Sequence, residues 1–318
     1  MSAAPARRIR VIWNPRAGAK AGLPTNTTNV EQVRELMARH HLGDELVETG
    51  SDEDAVGQAR DAVQARYDAV VAAGGDGTVG TVARQLLDTD VALGLLPIGS
   101  VMNIARSLGI PRELEGAAEI VAAGHRQAID VGEANGTVFF EVASVGLSAA
   151  LFAEANRVDQ GAYHGFLGAI RVLVQFRPRR MRVHLDEGPV ATRALMVAVA
   201  NGPYTGFGFT VAPDARLDDG MFDVAVFSRF SRYELLRHLG SIAAGRRQYH
   251  PKVSTYRSEQ VTIESVHPLP ARADANDLGT TPMRCVVRRG ALTVLVPAPV
   301  AGMGRDGSRE PRGYAGTE

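Results

Sequence analysis

The chain of 318 residues contains one cysteine, Cys285, and two lysines, Lys20 and Lys252. A single cysteine excludes internal disulfides and thiolate zinc clusters, and it is typical of a reducing compartment. Neither lysine follows a glycine, since Ala19 precedes the first and Pro251 precedes the second. The sequence therefore has no Gly-Lys-Ser or Gly-Lys-Thr phosphate loop of the Walker A type.

Net charge and long hydrophobic stretches are also missing. Lysine plus arginine number 35, and aspartate plus glutamate number 35, so no overall charge attracts the protein to nucleic acid or to a membrane. The longest apolar run, Ala194–Ala200, is too short to cross a bilayer. No apolar segment of signal-peptide length follows the N-terminal arginines. We therefore expect a soluble, cytoplasmic protein that binds no nucleic acid and contacts membranes only locally.

Hydrophobic periodicity divides the chain into two parts and a tail. Over residues 6–128, short β-rich runs alternate with helical patterns, which is typical of a parallel sheet covered by helices. Residues 129–298 are rich in strands, and the dipeptide Asn135-Gly136 predicts an antiparallel hairpin there. Residues 299–318 have no apolar pattern and are predicted to be a disordered tail. The predicted fold is an α/β domain with a parallel sheet followed by a β-rich antiparallel domain.

Individual elements follow from the same patterns. Ser51 with Asp54 three residues later resembles a capping box and predicts a helix start. In the first part, strands are predicted at Ile9–Trp13, Glu45–Glu48, Tyr67–Ala73 and Ala92–Leu96, with late helices at Asn103–Leu108 and Glu113–Ala123. In the second part, strands are predicted at Ile129–Ala134, Thr137–Ala143, Arg182–Asp186, Ala194–Ala200, Phe222–Phe227, Ser258–Ser265, Met283–Val287 and Ala291–Val296, with helices near Ser148–Phe176 and Arg232–Ala244.

The most informative segment is Gly74-Gly75-Asp76-Gly77-Thr78, which lies between an apolar strand and an amphipathic helix. Glycines let the backbone approach a ligand, and the amides at a helix N-terminus attract phosphate. Asp76 would repel a phosphate unless a cation such as Mg²⁺ lies between them or the carboxylate orients another group. A metal-bound nucleotide satisfies these conditions. The alternative is a strand-to-helix turn in which Asp76 is only a local cap.

Further motifs occur in a fixed order along the chain. They are Asn14-Pro15 with Gly18, Pro97–Arg106 with Leu108–Pro111, Asn201–Tyr204, Ala212–Ala215 and Leu217–Gly220. Together with the glycine-rich segment, this series resembles the diacylglycerol kinase catalytic-domain superfamily, which includes bacterial lipid kinases and the related sphingosine kinases. The resemblance covers residues 9 to 297. It implies an N-terminal nucleotide-binding domain of the NAD kinase and diacylglycerol kinase type, followed by a lipid-substrate domain.

The resemblance also implies an activity. The family transfers the γ-phosphoryl group of ATP to a hydroxyl of a diacylglycerol-like or sphingoid lipid, with Mg²⁺ as cofactor. The positions that would hold nucleotide and phosphates are Asn14, Thr49, Gly74, Gly75, Asp76, Gly77, Thr78 and Ser100. Asp76 is further expected to bind the active-site magnesium or to orient the phosphate network. A single hydroxyl before a capped helix, as at Thr49, is more often structural.

The family's catalytic signature DGExxGxxP aligns, through Gly279 and Pro282, with Asp274-Ala275-Asn276. Asp274 keeps the family aspartate and is the predicted acceptor at the attacking hydroxyl. Asn276 stands where the family has glutamate and can only orient the substrate. Asn103 likewise replaces a family aspartate in the third loop. These two differences leave open a protein that binds nucleotide or lipid without turnover.

The turn Leu217–Gly220 resembles the family's structural magnesium site. The resemblance implies a carboxylate ligand from Asp219 and neighbouring carbonyls of Arg216 and Met221. A solvated Asp-Gly turn between strands is the alternative. Asp130, near the predicted domain junction, matches another family motif, and it could orient the phosphate side or cap a hinge.

Substrate and partners are less well defined by the sequence. No motif encodes the lipid. The apolar segment Ser148–Phe176 ends in arginines, which fits a lipid path with a basic rim and fits a core helix at least as well. An NAD kinase shares the GGDG loop, but it predicts an Asn-Glu pair, whereas Asn103 is followed by Ile and Asn201 by Gly. The expected partners are a lipid alcohol and, transiently, a membrane surface to which the protein is peripheral; a homodimer is left open.

Overall fold

The computed structural model describes residues 7–17, 19–20, 23–24, 28–43, 45–156, 172, 176–206, 209–228, 234 and 253–298. Most of the predicted helices Arg232–Ala244 and Ser148–Phe176, and the predicted tail 299–318, lie outside the described residues. Within the described residues, no helix has both the length and the apolar character needed to cross a membrane.

A parallel sheet forms the first part of the fold, as predicted. Its strands are β1 (Ile9–Trp13), β4 (Glu45–Glu48), β5 (Ala69–Gly74) and β6 (Ala92–Pro97), and they lie in the order β4, β1, β5, β6. Strands β5 and β6 are buried along their whole length, which explains their continuous apolar sequences. Two short strands, β2 (Ala19–Lys20) and β3 (Leu23–Pro24), pair separately.

Helices follow the strands of this sheet. They are α1 (Val30–His40), α2 (Asp52–Gln64), α3 (Asp76–Leu86), α4 (Asn103–Ser107) and α5 (Leu114–Ala123). A further helix, α6 (Leu147–Asn156), belongs to the second part. The Ser51 hydroxyl accepts the Asp54 amide at 3.2 Å, so the predicted helix cap is present. The Asp54 carboxylate accepts the Gly50 amide at 3.1 Å, and not the Ser51 amide that a complete capping box requires. The capping box therefore forms only in part.

The second part is antiparallel. Its strands are β7 (Arg126–Ala134), β8 (Thr137–Phe139), β9 (Val142–Gly146), β10 (Arg179–Leu185), β11 (Gly188–Ala200), β12 (Tyr204–Thr205), β13 (Phe209–Thr210), β14 (Phe222–Ser228), β15 (Val253–Ser258), β16 (Gln260–Ser265), β17 (Pro270–Ala273), β18 (Asn276–Thr280) and β19 (Met283–Leu295). The main path is β18-β17-β9-β11-β10-β16-β19. Strand β14 pairs with β11 and β15 with β14, β7 pairs with β19 and β8 with β7, and β12 and β13 pair separately. The fold class predicted from the sequence is confirmed.

Strand β19 joins the two parts. It pairs with β7 in antiparallel orientation and with β6 in parallel orientation, at Val294 and Leu93. The hydrogen-bonded sheet therefore runs through both parts. The predicted domain boundary between residues 128 and 129 falls inside β7 and stays a prediction.

Some strand predictions differ from the structure. The hairpin at Asn135-Gly136 is present, with positive φ at both residues and Ala134 paired with Thr137. The predicted strand Thr137–Ala143 is interrupted between β8 and β9, because the chain turns at Phe140 and Glu141. The two strands predicted between Met283 and Val296 are one strand, β19, with a register shift inside it.

Candidate active site

The glycine-rich segment Gly74–Thr78 lies where β5 ends and α3 begins, with Gly75 as the helix N-cap. The neighbouring strand β6 ends at the same edge and leads into Gly99. A Cβ on Gly99 would lie 2.6 Å from the Cα of Gly75. A Cβ on Gly74 would lie 2.6 Å from the Cβ of Thr78. Only glycine therefore allows the two loops to touch backbone to backbone. This edge, at the carboxyl ends of parallel strands, is where open α/β sheets bind ligands.

Asn14 connects the end of β1 to this segment. Its Nδ2 donates to the Thr78 hydroxyl at 2.9 Å, and its Oδ1 accepts the Arg16 amide at 2.9 Å. Thr78 is buried in the first turn of α3. Three of the positions predicted to hold nucleotide, Asn14, Gly74 and Thr78, are thus brought together by direct contacts.

Two other predicted nucleotide positions lie differently. Thr49 is buried, and both its amide and its hydroxyl donate to the Trp13 carbonyl oxygen, at 2.9 and 3.3 Å. These contacts are structural, because they attach the end of β4 to β1. Ser100 is exposed immediately after Gly99. Its hydroxyl lies on the loop that contacts the glycine-rich segment, where a phosphate-side role stays a prediction.

Asp76 links the glycine-rich segment to α4. Its carboxylate accepts the Met102 amide at 2.8 Å and the Ile104 amide at 3.4 Å. Burial raises the pKa of Asp76, whereas these backbone hydrogen bonds oppose the increase. The carboxylate therefore positions the loop that contains Met102 against the glycine-rich segment. An ionised carboxylate offers about four acceptor sites, so it can also bind a cation.

The oxygen donors at this edge suit Mg²⁺. Asp76 supplies a carboxylate, and the Oδ1 atom of buried Asn103 has no hydrogen-bond partner. Among the described residues, no group of three or more acidic, histidine or cysteine side chains could hold a metal ion by itself. In kinases, one or two carboxylates hold Mg²⁺ together with substrate phosphates. The residues present therefore fit a magnesium ion that arrives with a nucleotide.

Asp274 lies in the turn between β17 and β18. Its carboxylate accepts three backbone amides, from Phe140 at 2.7 Å, Glu141 at 3.0 Å and Val142 at 3.1 Å. Burial raises the pKa of Asp274, and the three amides oppose that increase. These are the contacts of an anchor for the turn between β8 and β9. Its predicted role at the acceptor hydroxyl stays a prediction.

Asn276 begins β18 and pairs with Ala273 across the Asp274 turn. It is partly buried. The structure therefore places it beside Asp274, as the aligned signature requires. The β17–β18 hairpin that presents both residues is absent from the strands predicted from the sequence, because Asp274 and Asn276 interrupt the apolar pattern.

Glu141 was not singled out from the sequence. Its Oε2 accepts the side-chain amide of Asn103 at 2.9 Å, so it lies in the cleft between α4 and the Asp274 turn. Burial raises the pKa of Glu141 to about 9, and the nearby carboxylates of Asp274 and Asp76 act in the same direction. A signal was present in the sequence, since Glu141 is a charged residue inside the predicted apolar strand Thr137–Ala143.

The predicted metal turn carries ion pairs. Asp219 pairs with Arg257, and its Oδ1 accepts the Met221 amide at 3.1 Å. Arg216 instead binds the carboxylate of Asp218 at 3.1 Å. The prediction that Asp219 binds a metal with the carbonyls of Arg216 and Met221 stays untested by these contacts.

A buried carboxylate near this turn favours a cation. Asp223 lies at the start of β14, and its Oδ2 is buried without a hydrogen-bond partner. Burial raises the pKa of Asp223 to about 6, with Arg257 opposing and Asp219 and Asp214 adding to the increase. An unpaired buried carboxylate oxygen beside other carboxylates fits a bound cation. Asp223 was not among the residues singled out from the sequence.

Asp130 connects β7 to distant residues of the second part. It accepts the Gly220 amide and the Gly290 amide, both at 2.7 Å. Its carbonyl oxygen accepts the side-chain amide of buried Asn201 at 3.1 Å, and the same amide donates to the Phe140 carbonyl at 3.2 Å. These contacts all lie within the second part, so the two roles considered for Asp130, orienting the phosphate side and capping a hinge, stay predictions.

Comparison with known proteins agrees with this architecture. Residues 8–134 match the model of the diacylglycerol kinase catalytic domain, and residues 141–296 match that of the YegS C-terminal NAD kinase beta sandwich-like domain. The diacylglycerol kinases of Staphylococcus aureus strains bovine RF122 / ET3-1 and JH9 are each 26% identical over 303 residues, which cover 92% of this chain and 93% of theirs.

Solved structures share the fold. A diacylglycerol kinase from Bacillus anthracis strain Sterne aligns with a TM-score of 0.69 at 21% identity, over 92% of this chain and 97% of that one. A second structure from the same organism gives a TM-score of 0.74 at 22% identity, over 92% and 98% of the two chains.

An N-terminal α/β part with parallel strands followed by a β-rich antiparallel part defines a fold of the NAD kinase and diacylglycerol kinase type. Two family models match consecutive parts of the chain and together cover most of it. The chain belongs to the diacylglycerol kinase catalytic-domain superfamily, a family of bacterial lipid kinases.

Proposed function

We propose that this protein is an ATP-dependent lipid kinase that transfers the γ-phosphoryl group of ATP to a hydroxyl of a diacylglycerol-like or sphingoid lipid. The observation that carries the proposal is the convergence of three loops at one sheet edge, at Asn14, Gly74–Thr78 and Gly99–Asn103, opposite the carboxylates of Glu141 and Asp274. Family membership supports the same reaction class.

The first domain supplies a phosphate-binding surface. The N-terminus of α3 presents unsatisfied amides at the glycine-rich turn, and a helix N-terminus favours negative charge. Asn14 and Thr78 fix the side of this turn through their 2.9 Å bond. The contact between Gly75 and Gly99 fixes the other side. A triphosphate lying across this surface would direct its γ-phosphate toward α4.

Asp76 would complete the nucleotide side of the site. Bound Mg²⁺ would neutralise charge that develops on the phosphates during transfer. The carboxylate is held in place by the Met102 and Ile104 amides, so its position does not depend on the ligand. This preorganisation favours a role at the phosphates over one in the core.

The acceptor side is formed by the antiparallel domain. The lipid hydroxyl would enter between α4 and the turns that carry Glu141 and Asp274. The exposed arginines of β10, Arg179, Arg180 and Arg182, suit transient contact with anionic head groups, so the protein would be cytoplasmic and peripheral at the membrane. Whether the protein forms a homodimer is left open, and sedimentation measures its oligomeric state.

The test is phosphorylation of lipids with γ-labelled ATP and Mg²⁺. Diacylglycerol, sphingoid bases and other lipid alcohols in mixed micelles would be compared by thin-layer detection, with NAD as a parallel acceptor. We expect a labelled lipid from at least one lipid class and none from NAD. Labelled NADP would support the NAD kinase alternative, and ATP binding without any product would support a binding protein.

A further inference from the structure

Arg272 is a charged residue on the acceptor side of the cleft. It lies on β17, two residues before Asp274, and it is partly buried. We propose that Arg272 selects the lipid acceptor by donating hydrogen bonds to an ester carbonyl oxygen of a neutral glycerolipid, an inference that rests on the proposed kinase function. Arg272 would be a specificity-determining residue, because it would bind the acceptor beside the hydroxyl that reacts.

Arg272 belongs to a row of paired residues that crosses four strands. It pairs with Ser144 of β9, and Ser144 pairs on its other side with Ala198 of β11. At the edge of the sheet, Arg272 pairs with Asp277 of β18. Residues that pair directly across strands carry their side chains on the same face of a sheet. This face therefore changes from apolar at Ala198, through a hydroxyl, to charged residues at the edge.

The apolar end of the row continues into a buried hydrophobic cluster. Ala198 belongs to this cluster together with Met196 and Val142. Val142 and Ser144 are alternate residues of β9 and so lie on the same face. The hydroxyls of Ser144 and Ser148 lie 2.9 Å apart, so α6 contacts the row as well. Apolar surface and hydrogen-bonding groups thus lie side by side, as do the acyl chains and the ester groups of a glycerolipid.

The guanidinium of Arg272 interacts with acidic groups at the proposed entry of the lipid hydroxyl. Burial lowers the pKa of Arg272 to about 10, and the acidic side chains of Asp274, Glu141 and Asp277 oppose this decrease. Arg272 therefore stays positively charged at neutral pH. Glu141 accepts the side-chain amide of Asn103 in α4 at 2.9 Å, so these interactions place the guanidinium beside the cleft between α4 and the Asp274 turn.

The charges around Arg272 favour a neutral acceptor. The ammonium group of a sphingoid base would meet the like charge of Arg272, and the phosphodiester of an anionic lipid would meet the carboxylates of Asp274 and Asp277. Either charged group would also lose its water on entering a partly buried site. A neutral ester avoids both costs. Because a guanidinium has only donors, its partners in such a lipid are the carbonyl oxygens.

The test compares diacylglycerol with its dialkyl ether analogue, which has the same hydroxyl and no carbonyl. In mixed micelles with ATP and Mg²⁺, we expect the wild type to prefer the ester about ten- to a hundredfold in kcat/KM, the range of a hydrogen bond to a charged group. Arg272→Met should lose this preference through a higher KM for the ester, with little change in the KM for the ether. A merely structural role would lower activity on both lipids alike.

The matched control is Arg284→Met, at an exposed arginine of β19, which should keep the wild-type preference. Charged acceptors complete the comparison: sphingosine and phosphatidylglycerol should each be at least about tenfold poorer substrates than diacylglycerol for the wild type. If Arg272→Met does not fold, Arg272→Lys keeps the positive charge and should retain part of the ester preference.

The outcomes separate this role from the kinase function. A wild type that phosphorylates ester and ether lipids equally well, or that prefers a charged lipid, would overturn the role of Arg272 and leave the kinase function intact. An ester preference that is unchanged in a folded Arg272→Met variant would do the same. A wild type that binds ATP and phosphorylates no lipid would overturn both.

Discussion

The side-chain amide of Asn103 donates to the Glu141 carboxylate and to the Gly206 carbonyl oxygen, at 2.9 Å in each case. Asn103 belongs to α4 in the first part of the chain, whereas Glu141 and Gly206 belong to the second. One buried amide therefore connects the two halves of the cleft. The family aspartate at this position would instead place a second carboxylate beside Glu141. The asparagine and the glutamate are thus complementary.

This complementarity predicts the effect of Asn103→Asp. The variant loses the donors to Glu141 and to the Gly206 carbonyl oxygen, so the free energy of unfolding should fall by about 1–3 kcal/mol. Urea denaturation at neutral pH measures the loss. In a double-mutant cycle, Asn103→Asp should be less destabilising in a Glu141→Gln background, because an amide can then donate to the new aspartate. Additive effects of the two substitutions would contradict the pairing.

Glu141→Gln should change how stability depends on pH. The pKa of Glu141 is about 9 in the folded protein and has its ordinary value of 4.5 in the unfolded chain. Between pH 4.5 and about 9, Glu141 therefore holds its proton in the folded protein and is ionised in the unfolded chain. The stabilisation by protonated Glu141 is complete below the unfolded pKa and is lost as pH rises through the folded pKa. Wild-type stability should fall relative to the variant by up to about 1.4 kcal/mol per pH unit in this window.

Urea unfolding of both proteins at a series of pH values measures that difference. Asp274, Asp76 and Arg272 face Glu141, and they are present in both proteins, so the comparison isolates Glu141 and its coupling to them. Parallel stability curves for the two proteins would show that the Glu141 proton is not linked to folding.

Asp76→Asn should abolish turnover and leave the fold nearly intact. In the wild type, Asp76 accepts the Met102 amide at 2.8 Å, and the asparagine oxygen can still accept it. The negative charge at the phosphates, however, is lost. We expect kcat to fall by a factor on the order of 10² or more, with a small change in melting temperature. Asp90→Asn, at an exposed aspartate before β6, is the matched control. A variant with wild-type turnover would remove the nucleotide-site interpretation.

The sequence predicted the fold well where local chemistry is sufficient. The period of the apolar residues identified β1 and β5, and Ser51 identified the start of α2. It failed for the β17–β18 hairpin, whose strands are short, and for the single strand β19, which pairs with β7 on both sides of a register shift between Arg288 and Leu292. Such pairing is set by distant strands and has no local signal.

For the site, the family resemblance assigned Asn14 and the glycine-rich segment to one nucleotide site. The structure brings them into contact at the ends of β1 and β5; their role in binding nucleotide stays a prediction. Glu141 and Asp223 were missed, because their importance arises from burial and from carboxylates far away in sequence. Charge within an apolar strand is the only local sign of either residue.

Gly99→Ala should disrupt nucleotide binding. The new Cβ would lie 2.6 Å from the Cα of Gly75 and 2.8 Å from the Met102 sulfur. The backbone at Gly75 cannot move away without shifting the glycine-rich segment. We expect about 1–3 kcal/mol of destabilisation and at least about tenfold weaker ATP binding, measured by urea unfolding and nucleotide titration.

The matched control for Gly99→Ala is Gly57→Ala. Gly57 lies in the interior of α2, where a Cβ would meet no atom within 4 Å. Alanine there should stabilise the protein by about 1 kcal/mol without changing ATP affinity. Tight ATP binding by Gly99→Ala would show that the two loops need not touch.

The last prediction concerns the turn at Asp219 and the buried Oδ2 of Asp223. If a structural magnesium ion binds there, it would offset the carboxylate charge that burial makes unfavourable, so Mg²⁺ should raise the melting temperature of the wild type. Asp219→Ala should melt at a lower temperature and lose the response to Mg²⁺. Its affinity for nucleotide should be unchanged, because the turn lies outside the three phosphate-side loops.

Asp218→Ala is the matched control for this prediction. Asp218 belongs to the same turn, but its carboxylate binds Arg216 and Gln127. The response of the melting temperature to Mg²⁺ should therefore persist in this variant. Because Asp219→Ala also frees Arg257 from its ion pair, a lower melting temperature alone is insufficient and the loss of the Mg²⁺ response is the decisive measurement. Equal melting temperatures for wild type and Asp219→Ala, with and without Mg²⁺, would exclude a structural metal at this turn.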